Sequence, residues 1–189
     1  MSSLFVRFLR HPGQVGAFCP SSRFLAVEMT RKIGMEDART VVELGPGTGA
    51  ITREIVPRLR KDARFLTVEL DSGMAAALRS AFPRADVRCG SAAELPRILE
   101  SAGAPKADAI LSGLPWAVFP PDLQDAILDG VISGLAPGGA FATFAYIQGV
   151  VLPAGIRFRK KLELLFGEVE CSPVVWRNLP PAFIYRCRK

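Results

Sequence analysis

Between Thr40 and Phe144, short apolar runs alternate with stretches whose apolar residues recur every three or four positions. That alternation is the pattern of βαβ units built around a parallel sheet. Thr40 to Leu44 reads as a first strand, followed by a glycine-rich turn at Gly45, Gly47 and Gly49. A helix through Ile51, Ile55, Val56 and Leu59 comes next, its spacing placing one apolar face on the sheet. Phe65 to Leu70 predicts a second strand and Met74 to Ala81 its helix. Val87 to Cys89 is a short third strand with a helix after Ala93, and Ala107 to Leu111 is the fourth strand. A helix over Asp122 to Leu135 then meets Pro137-Gly138-Gly139, which turns the chain into a fifth strand, Ala140 to Tyr146.

Both ends differ from this core. Residues 1 to 34 predict two short helices around Pro12-Gly13, the second opening at Ser21 or Ser22 as N-cap and closing at Gly34. From Pro153 the chain offers a basic helical stretch with Arg157, Arg159, Lys160 and Lys161, then strands over Glu168 to Trp176 and Ala182 to Arg188. The expectation is a single α/β domain over residues 1–189, with a seven-stranded, mostly parallel sheet carrying helices on both faces. Residues 1–34 form an N-terminal helical lid or membrane-contact segment in this reading.

At 189 residues, folding buries roughly 70% of the extended chain's surface, so the core needs neither disulfides nor a structural metal. Cysteines at 19, 89, 171 and 187 form no CxxC pair, and there is one histidine, which argues against a zinc site. No metal ligand set is expected. The sequence has no run of about 18 apolar residues and no leader-like apolar stretch before a small-residue cleavage site. The expected location is therefore cytoplasmic, with peripheral contact to the inner face of the membrane. Net charge is +6, an excess that points to an anionic partner, either nucleic acid or membrane surface.

The strongest chemical signal is Glu43-Leu44-Gly45-Pro46-Gly47-Thr48-Gly49, at the passage from strand to helix. A dinucleotide site would want Gly-x-Gly-x-x-Gly there. Here the third glycine comes one residue early, and an acidic residue precedes the glycines. A carboxylate is badly placed beside phosphates and well placed beside a cation. S-adenosylmethionine, with its sulfonium and ammonium and no phosphate, fits that environment. A second signal is Glu69-Leu70-Asp71 at the end of the second strand. Glu69 stands at the interval after the first glycine where an acidic residue takes ribose hydroxyls, and Asp71 suits the N-cap of the next helix. Gly90-Ser91-Ala92, ending the third strand, lies where an adenine would sit; a plain turn is the other reading.

Ser112-Gly113-Leu114-Pro115-Trp116 follows the fourth strand. Such a turn can aim the Leu114 and Pro115 carbonyls at an incoming amine while Trp116 and Tyr146 cover its cationic product; a core-packing Trp116 is the alternative. At the N-terminus, Leu4, Phe5, Phe8 and Leu9 share a helical face bordered by Arg7 and Arg10. That face suits an anionic bilayer interface, although Phe5 and Phe8 could equally pack on the domain. His11 is a candidate proton acceptor.

Taken together, several segments resemble the bacterial phospholipid N-methyltransferases, of the same broader group as the rRNA adenine dimethyltransferases. They are His11 to Ala17 with Pro20 to Arg23, Glu43 to Gly49, Ser112 to Trp116, Phe144-Ala145-Tyr146 and Val175 to Ala182. The resemblance implies a class I S-adenosylmethionine-dependent methyltransferase fold, Rossmann-like. It also implies stepwise methylation of phosphatidylethanolamine on an anionic membrane surface. Carried over by position, Glu43, Gly45, Gly47 and Gly49 hold the methionine part and Glu69 the ribose; Leu70, Ser91 and Ala92 complete the expected cofactor set, with Ser91 standing where many methyltransferases have an acidic residue or Asn. Ser22 and Arg23 close over the cofactor. Ser112 stands where the rRNA enzymes have Asn, a departure that weakens the case for an adenine acceptor.

Rival readings are an RNA adenine or amphipathic metabolite as acceptor, and a non-catalytic protein that binds S-adenosylmethionine or lipid. RNA recognition commonly needs a separate basic module or stacking aromatics, for which this length leaves little room. Residues 1–34 carry five basic and one acidic side chain, 35–156 eleven and fourteen, and 157–189 eight and three. The positive excess therefore sits in two flanks around a mildly acidic middle, which ranks membrane ahead of nucleic acid.

Overall fold

The computed structural model describes residues 21–189. The expectations placed on the first twenty residues lie outside the described part. These are the helix before Pro12-Gly13, the membrane-facing Phe5, Arg7, Phe8 and Arg10, and the roles of His11 and Cys19.

The elements are α1 (Arg23–Met29), β1 (Thr40–Leu44), α2 (Thr52–Ile55), β2 (Arg64–Glu69), α3 (Ser72–Ala81), β3 (Asp86–Cys89), α4 (Leu95–Ser101), β4 (Ala107–Ser112), α5 (Pro121–Gly134), β5 (Leu135–Tyr146), α6 (Pro153–Leu165), β6 (Glu168–Cys171) and β7 (Ala182–Arg188). The strands form one seven-stranded sheet in the order β3-β2-β1-β4-β5-β7-β6. β1 to β5 pair in parallel, and β7 runs antiparallel between β5 and β6. A doubly wound sheet follows from the sequence because every residue of β1 is buried, as a central parallel strand covered on both faces requires.

Alternation along the strands divides the core in two. Val42, Leu66, Ile110 and Phe141 face a cluster completed by Leu95, Leu99, Ile127, Leu128 and Val131 of α4 and α5 and by Phe158 and Leu162 of α6. Val41, Phe65, Ala109, Leu111 and Ala142 face the other side, under Leu25 and Met29 of α1 and Ile51 and Ile55 near α2. The period of two that identified the strands is thus also what splits the helices between two layers.

Four boundaries differ from expectation. The second N-terminal helix stops at Met29 rather than Gly34: the Thr30 hydroxyl bonds back to the Val27 carbonyl, and Lys32 takes a φ of 60°, where a helix cannot continue. The helix after the glycine turn becomes a 3₁₀ turn over Val56–Arg58, because Pro57 has no N–H for the α ladder. Pro137-Gly138-Gly139 bulges within β5 instead of preceding it; Ala107 pairs with Leu135 and Ala109 with Ala140, so the intervening residues loop out. The strand expected to reach Trp176 ends at Cys171, before Pro173, and the ladder resumes only as a bridge between Val175 and Ala182.

Candidate active site

Strand order reverses between β1 and β4, the place where a doubly wound sheet opens a crevice at the carboxyl ends of its strands. A cavity of about 270 Å³ occupies that crevice. By strand order, the lining falls into Gly45, Gly47, Glu69, Leu70, Asp71, Met74, Ser91 and Ala92 on the β1–β3 side, with Ile127 of α5 in the wall, and Leu114, Pro115, Phe119, Phe144 and Tyr146 on the β4–β5 side.

The first end is built from backbone. Gly45 donates to the Val68 carbonyl at 2.9 Å and takes a φ of 67°; Gly47 takes 55°. A Cβ added to Gly47 would meet nothing within 4 Å, so this side of the turn presents bare main chain to the cavity. Glu69 is 8% exposed. Its Oε2 accepts the Gly47 N–H and its Oε1 the Asp71 N–H, each at 3.0 Å. A carboxylate offers about four lone-pair sites, so two remain for a pair of hydroxyls. Asp71 caps α3 as expected, its Oδ1 accepting from the Met74 N–H at 2.8 Å. The Ser91 hydroxyl accepts from the Ala93 N–H at 3.3 Å and caps a 3₁₀ turn at Ala92–Glu94, so this end of the cavity is also held by the chain's own turn.

Four expected cofactor residues stand elsewhere. Glu43 is fully buried beneath the turn and does not reach the cavity wall. Its Oε2 accepts the Thr52 hydroxyl at 2.6 Å, and its Oε1 has no partner among the described residues. Burial pushes its carboxyl up to about 8 against the pull of the Thr52 hydrogen bonds, and the charge of Glu69 adds to the rise. Burial therefore favours the neutral acid at Glu43, beneath the turn. Gly49 faces α3: a Cβ there would lie 2.4 Å from the Phe82 ring. Ser22 caps α1, and Arg23 points outward to pair with Glu54 at 3.4 Å. Of that segment Ser21 reaches the cavity.

At the other end the two turns touch through their main chains. Gly113 donates to the Leu44 carbonyl at 2.8 Å, and a Cβ on Gly113 would stand 2.6 Å from the Gly45 carbonyl oxygen. No residue but glycine fits there, so the turn after β4 is clamped against the turn after β1. The Leu114 and Pro115 carbonyls each accept one bond within their own turn, from Trp116 and Val118, which leaves each one lone pair.

Trp116 does not cover this end. It is 2% exposed and stacks on Phe158 of α6 with ring centroids 4.6 Å apart, and its indole N–H donates to the Ser112 hydroxyl at 3.1 Å. Ser112 is itself fully buried and spends its hydroxyl on Trp116 and on the Leu114 N–H. Both residues thus lie beneath the turn and off the cavity wall, which for Trp116 is the core-packing alternative. Tyr146 does line the cavity, edge-on to Phe144 with centroids 5.3 Å apart. Phe119 and Phe144 complete this side, and with Ile127 they are lining residues that were not anticipated. The signal for Phe144 was present, since it lies two residues before Tyr146 in a strand and so shares its face.

The described chain is similar to known proteins over nearly its whole length. The family model described as "Methyltransferase domain" matches residues 41–139. The ornithine lipid N-methyltransferase of Singulisphaera acidiphila is 36% identical over 185 residues, 96% of this chain and 92% of that protein. The ribosomal RNA small subunit methyltransferase A of Thermotoga petrophila is 26% identical over 125 residues, 65% of this chain but 44% of its own length. Among solved structures, the O-methyltransferase of Bacillus cereus, in complex with S-adenosylhomocysteine, superposes with a TM-score of 0.69 at 17% identity, over 100% of this chain and 92% of its own. The O-methyltransferase TomG of Streptomyces achromogenes, in complex with S-adenosylmethionine, gives 0.67 at 17% identity over 100% and 91%. At that identity the structures speak for the fold.

Proposed function

The chain belongs to the methyltransferase-domain family of class I, S-adenosylmethionine-dependent enzymes, and from that premise we propose that it methylates the primary amine of a membrane aminolipid. Two headgroups are in view, the ornithine lipid named by the full-length relative and the phosphatidylethanolamine implied by the sequence resemblance.

The residues present fit the cofactor. Bare main chain at Gly47 and the two open lone pairs of Glu69 suit an uncharged ribose and a cationic methionine part, and would clash with a pyrophosphate. Gly45, Gly47, Glu69, Leu70, Ser91 and Ala92 would hold it. When bound, S-adenosylmethionine supplies a methyl group on a sulfonium that departs as a neutral thioether.

The observation that carries the reading is the makeup of the acceptor end. Leu114, Pro115, Phe119, Phe144 and Tyr146 line the cavity beside β4 and β5, and their side chains are aliphatic or aromatic. A neutral amine attacks through its own lone pair. The apolar wall favours that neutral form by penalising the ammonium, so the amine gives its proton to water on entry. The remaining lone pairs of the Leu114 and Pro115 carbonyls can take the amine's N–H groups and aim its lone pair toward the first end. Alignment of this kind removes up to roughly 7–11 kcal/mol of barrier. Positive charge then develops on nitrogen, beside the Tyr146 ring, whose face stabilises it by about 0.5–2 kcal/mol.

The test is incubation with methyl-labelled S-adenosylmethionine and, separately, vesicles containing ornithine lipid, vesicles containing phosphatidylethanolamine, ribosomal RNA, and no acceptor. Label in the lipid phase is expected. Label confined to RNA, or none in either lipid, overturns the reading.

A further inference from the structure

Large apolar side chains that remain exposed are concentrated at one edge of the molecule. Val151 and Leu152 stand between β5 and α6, Ile156 lies in the first turn of α6, Val118 ends the acceptor turn, and Trp176 and Leu179 belong to the loop from β6 to β7. Register places them together. Tyr146, the last residue of β5, pairs with Ala182, the first of β7. Beyond that pair the Ile147 N–H donates to the Pro181 carbonyl at 3.1 Å, and Gly149 packs against Ala117. This is the carboxyl edge onto which the cavity opens. Leu164 and Leu165 are also exposed, but at the far end of α6.

The exposure at the edge is built in. Asn178, between Trp176 and Leu179, is 3% exposed; its Oδ1 accepts the Ser22 N–H at 2.9 Å and its Nδ2 donates to the Pro180 carbonyl at 2.7 Å. With Asn178 held inward, Leu179 next to it is 79% exposed and Trp176 71%, and Val151, past the bonded Ile147–Pro181 pair, is 72% exposed. Cations border the patch. Arg177 lies over the Phe24 ring at 4.2 Å, and Arg157 and Lys160 make no ion pair among the described residues, unlike Arg159 and Lys161 of the same helix.

We propose that Val151, Leu152, Trp176 and Leu179 form a docking surface for an anionic lipid bilayer, with Arg157, Lys160 and Arg177 facing its headgroups. The inference rests on the reading of the acceptor as a lipid. Drawing such a molecule fully out of a bilayer exposes every methylene of its chains to water, so the cavity must meet the headgroup where it lies. An apolar rim at the mouth, flanked by unpaired cations, satisfies that requirement.

The chain carries its own reporter. It has two tryptophans; Trp116 is buried and Trp176 is not. Full-length protein is mixed with vesicles of phosphatidylcholine and phosphatidylglycerol, neither of which offers a primary amine. The proposal expects a blue shift of Trp176 emission that grows with phosphatidylglycerol content, quenching by lipids brominated on their acyl chains, and loss of both signals in Trp176→Phe. Leu179→Glu with Val151→Glu should weaken vesicle binding about tenfold or more, with S-adenosylmethionine affinity unchanged by calorimetry. Co-sedimentation without quenching of Trp176 overturns it. So does a blue shift that follows protein concentration without lipid, which would assign the rim to a second copy of the chain. Methyl transfer to lipid amines without Trp176 quenching sinks the surface and spares the function. Quenching without methyl transfer to either aminolipid does the reverse.

Discussion

The two ends of the cavity are made in different ways. The first is main chain: glycines at positive φ, a carboxylate holding two backbone N–H groups, and helix caps that fix Asp71 and Ser91. The second is side chain: aromatic and aliphatic groups whose directions depend on what packs behind them. Trp116 is the clearest case, since it lies next to Pro115 on the wall yet faces the core. A polar, cofactor-facing end can be fixed by local backbone rules. An apolar, acceptor-facing end is fixed by tertiary packing, and its failure modes should differ accordingly.

Trp116→Ala should break that contrast most visibly. It removes a fully packed ring from between Phe119, Phe141 and Phe158 and should cost about 3–5 kcal/mol of stability by denaturant unfolding. Trp116→Phe should recover much of this, less the indole bond to Ser112. A normal unfolding midpoint for Trp116→Ala, combined with lost turnover, would return the ring to the reacting amine.

The next effect belongs to the first end. Glu69→Ala removes the acceptor for two backbone N–H groups and, in the proposed function, for the ribose. Hydrogen bonds to a charged group are worth about 1.5–3 kcal/mol, so S-adenosylmethionine affinity should fall by roughly 10- to 100-fold. Calorimetric titration checks it. Unchanged affinity would mean that Glu69 serves only to brace the turn.

These two variants also mark what sequence could reveal. The sheet, its parallel core and the glycine turn were legible because strands alternate with period two and because tight turns demand glycine. Asp71 was legible as a helix cap because its role answers to backbone three residues away. The burial of Trp116 and Ser112 was not legible because a ring after a strand end has two sides to choose from, and the choice was made by Phe158, forty-two residues further on. The burial of Glu43 was not legible because spacing gives position but not depth. Thr52, nine residues later, supplies its hydrogen bond, and nothing local indicates that the other carboxyl oxygen goes without one.

That depth has a pH signature. With its carboxyl pushed up to about 8 from an ordinary 4.5, Glu43 binds its proton more tightly in the folded chain than in the unfolded one. Stability from this group is therefore present at low pH and declines as pH rises through the window between those values. The slope can reach about 1.4 kcal/mol per pH unit. Glu43→Gln keeps a neutral amide in place and should flatten the loss between pH 5.5 and 8 in denaturant titrations. An unaltered slope would show that Glu43 ionises freely beneath the turn.

The smallest expected effect tests the acceptor end itself. Tyr146 reaches the cavity from the end of β5, held edge-on by Phe144. If its ring serves the developing ammonium, Tyr146→Ala should lower kcat on aminolipid vesicles by about 2- to 30-fold, the range of a cation–π contact. Tyr146→Phe should keep most of the rate, because the ring face and not the hydroxyl carries the interaction. S-adenosylmethionine affinity should stay constant in both variants, since the proposed function places the cofactor on the main chain and Glu69 at the other end. A parallel loss of cofactor affinity and rate would mean that the two ends are one packed unit. A rate loss in Tyr146→Phe equal to that in Tyr146→Ala would move the chemistry to the phenol, and with it the acceptor from an amine that needs no base to a group that does.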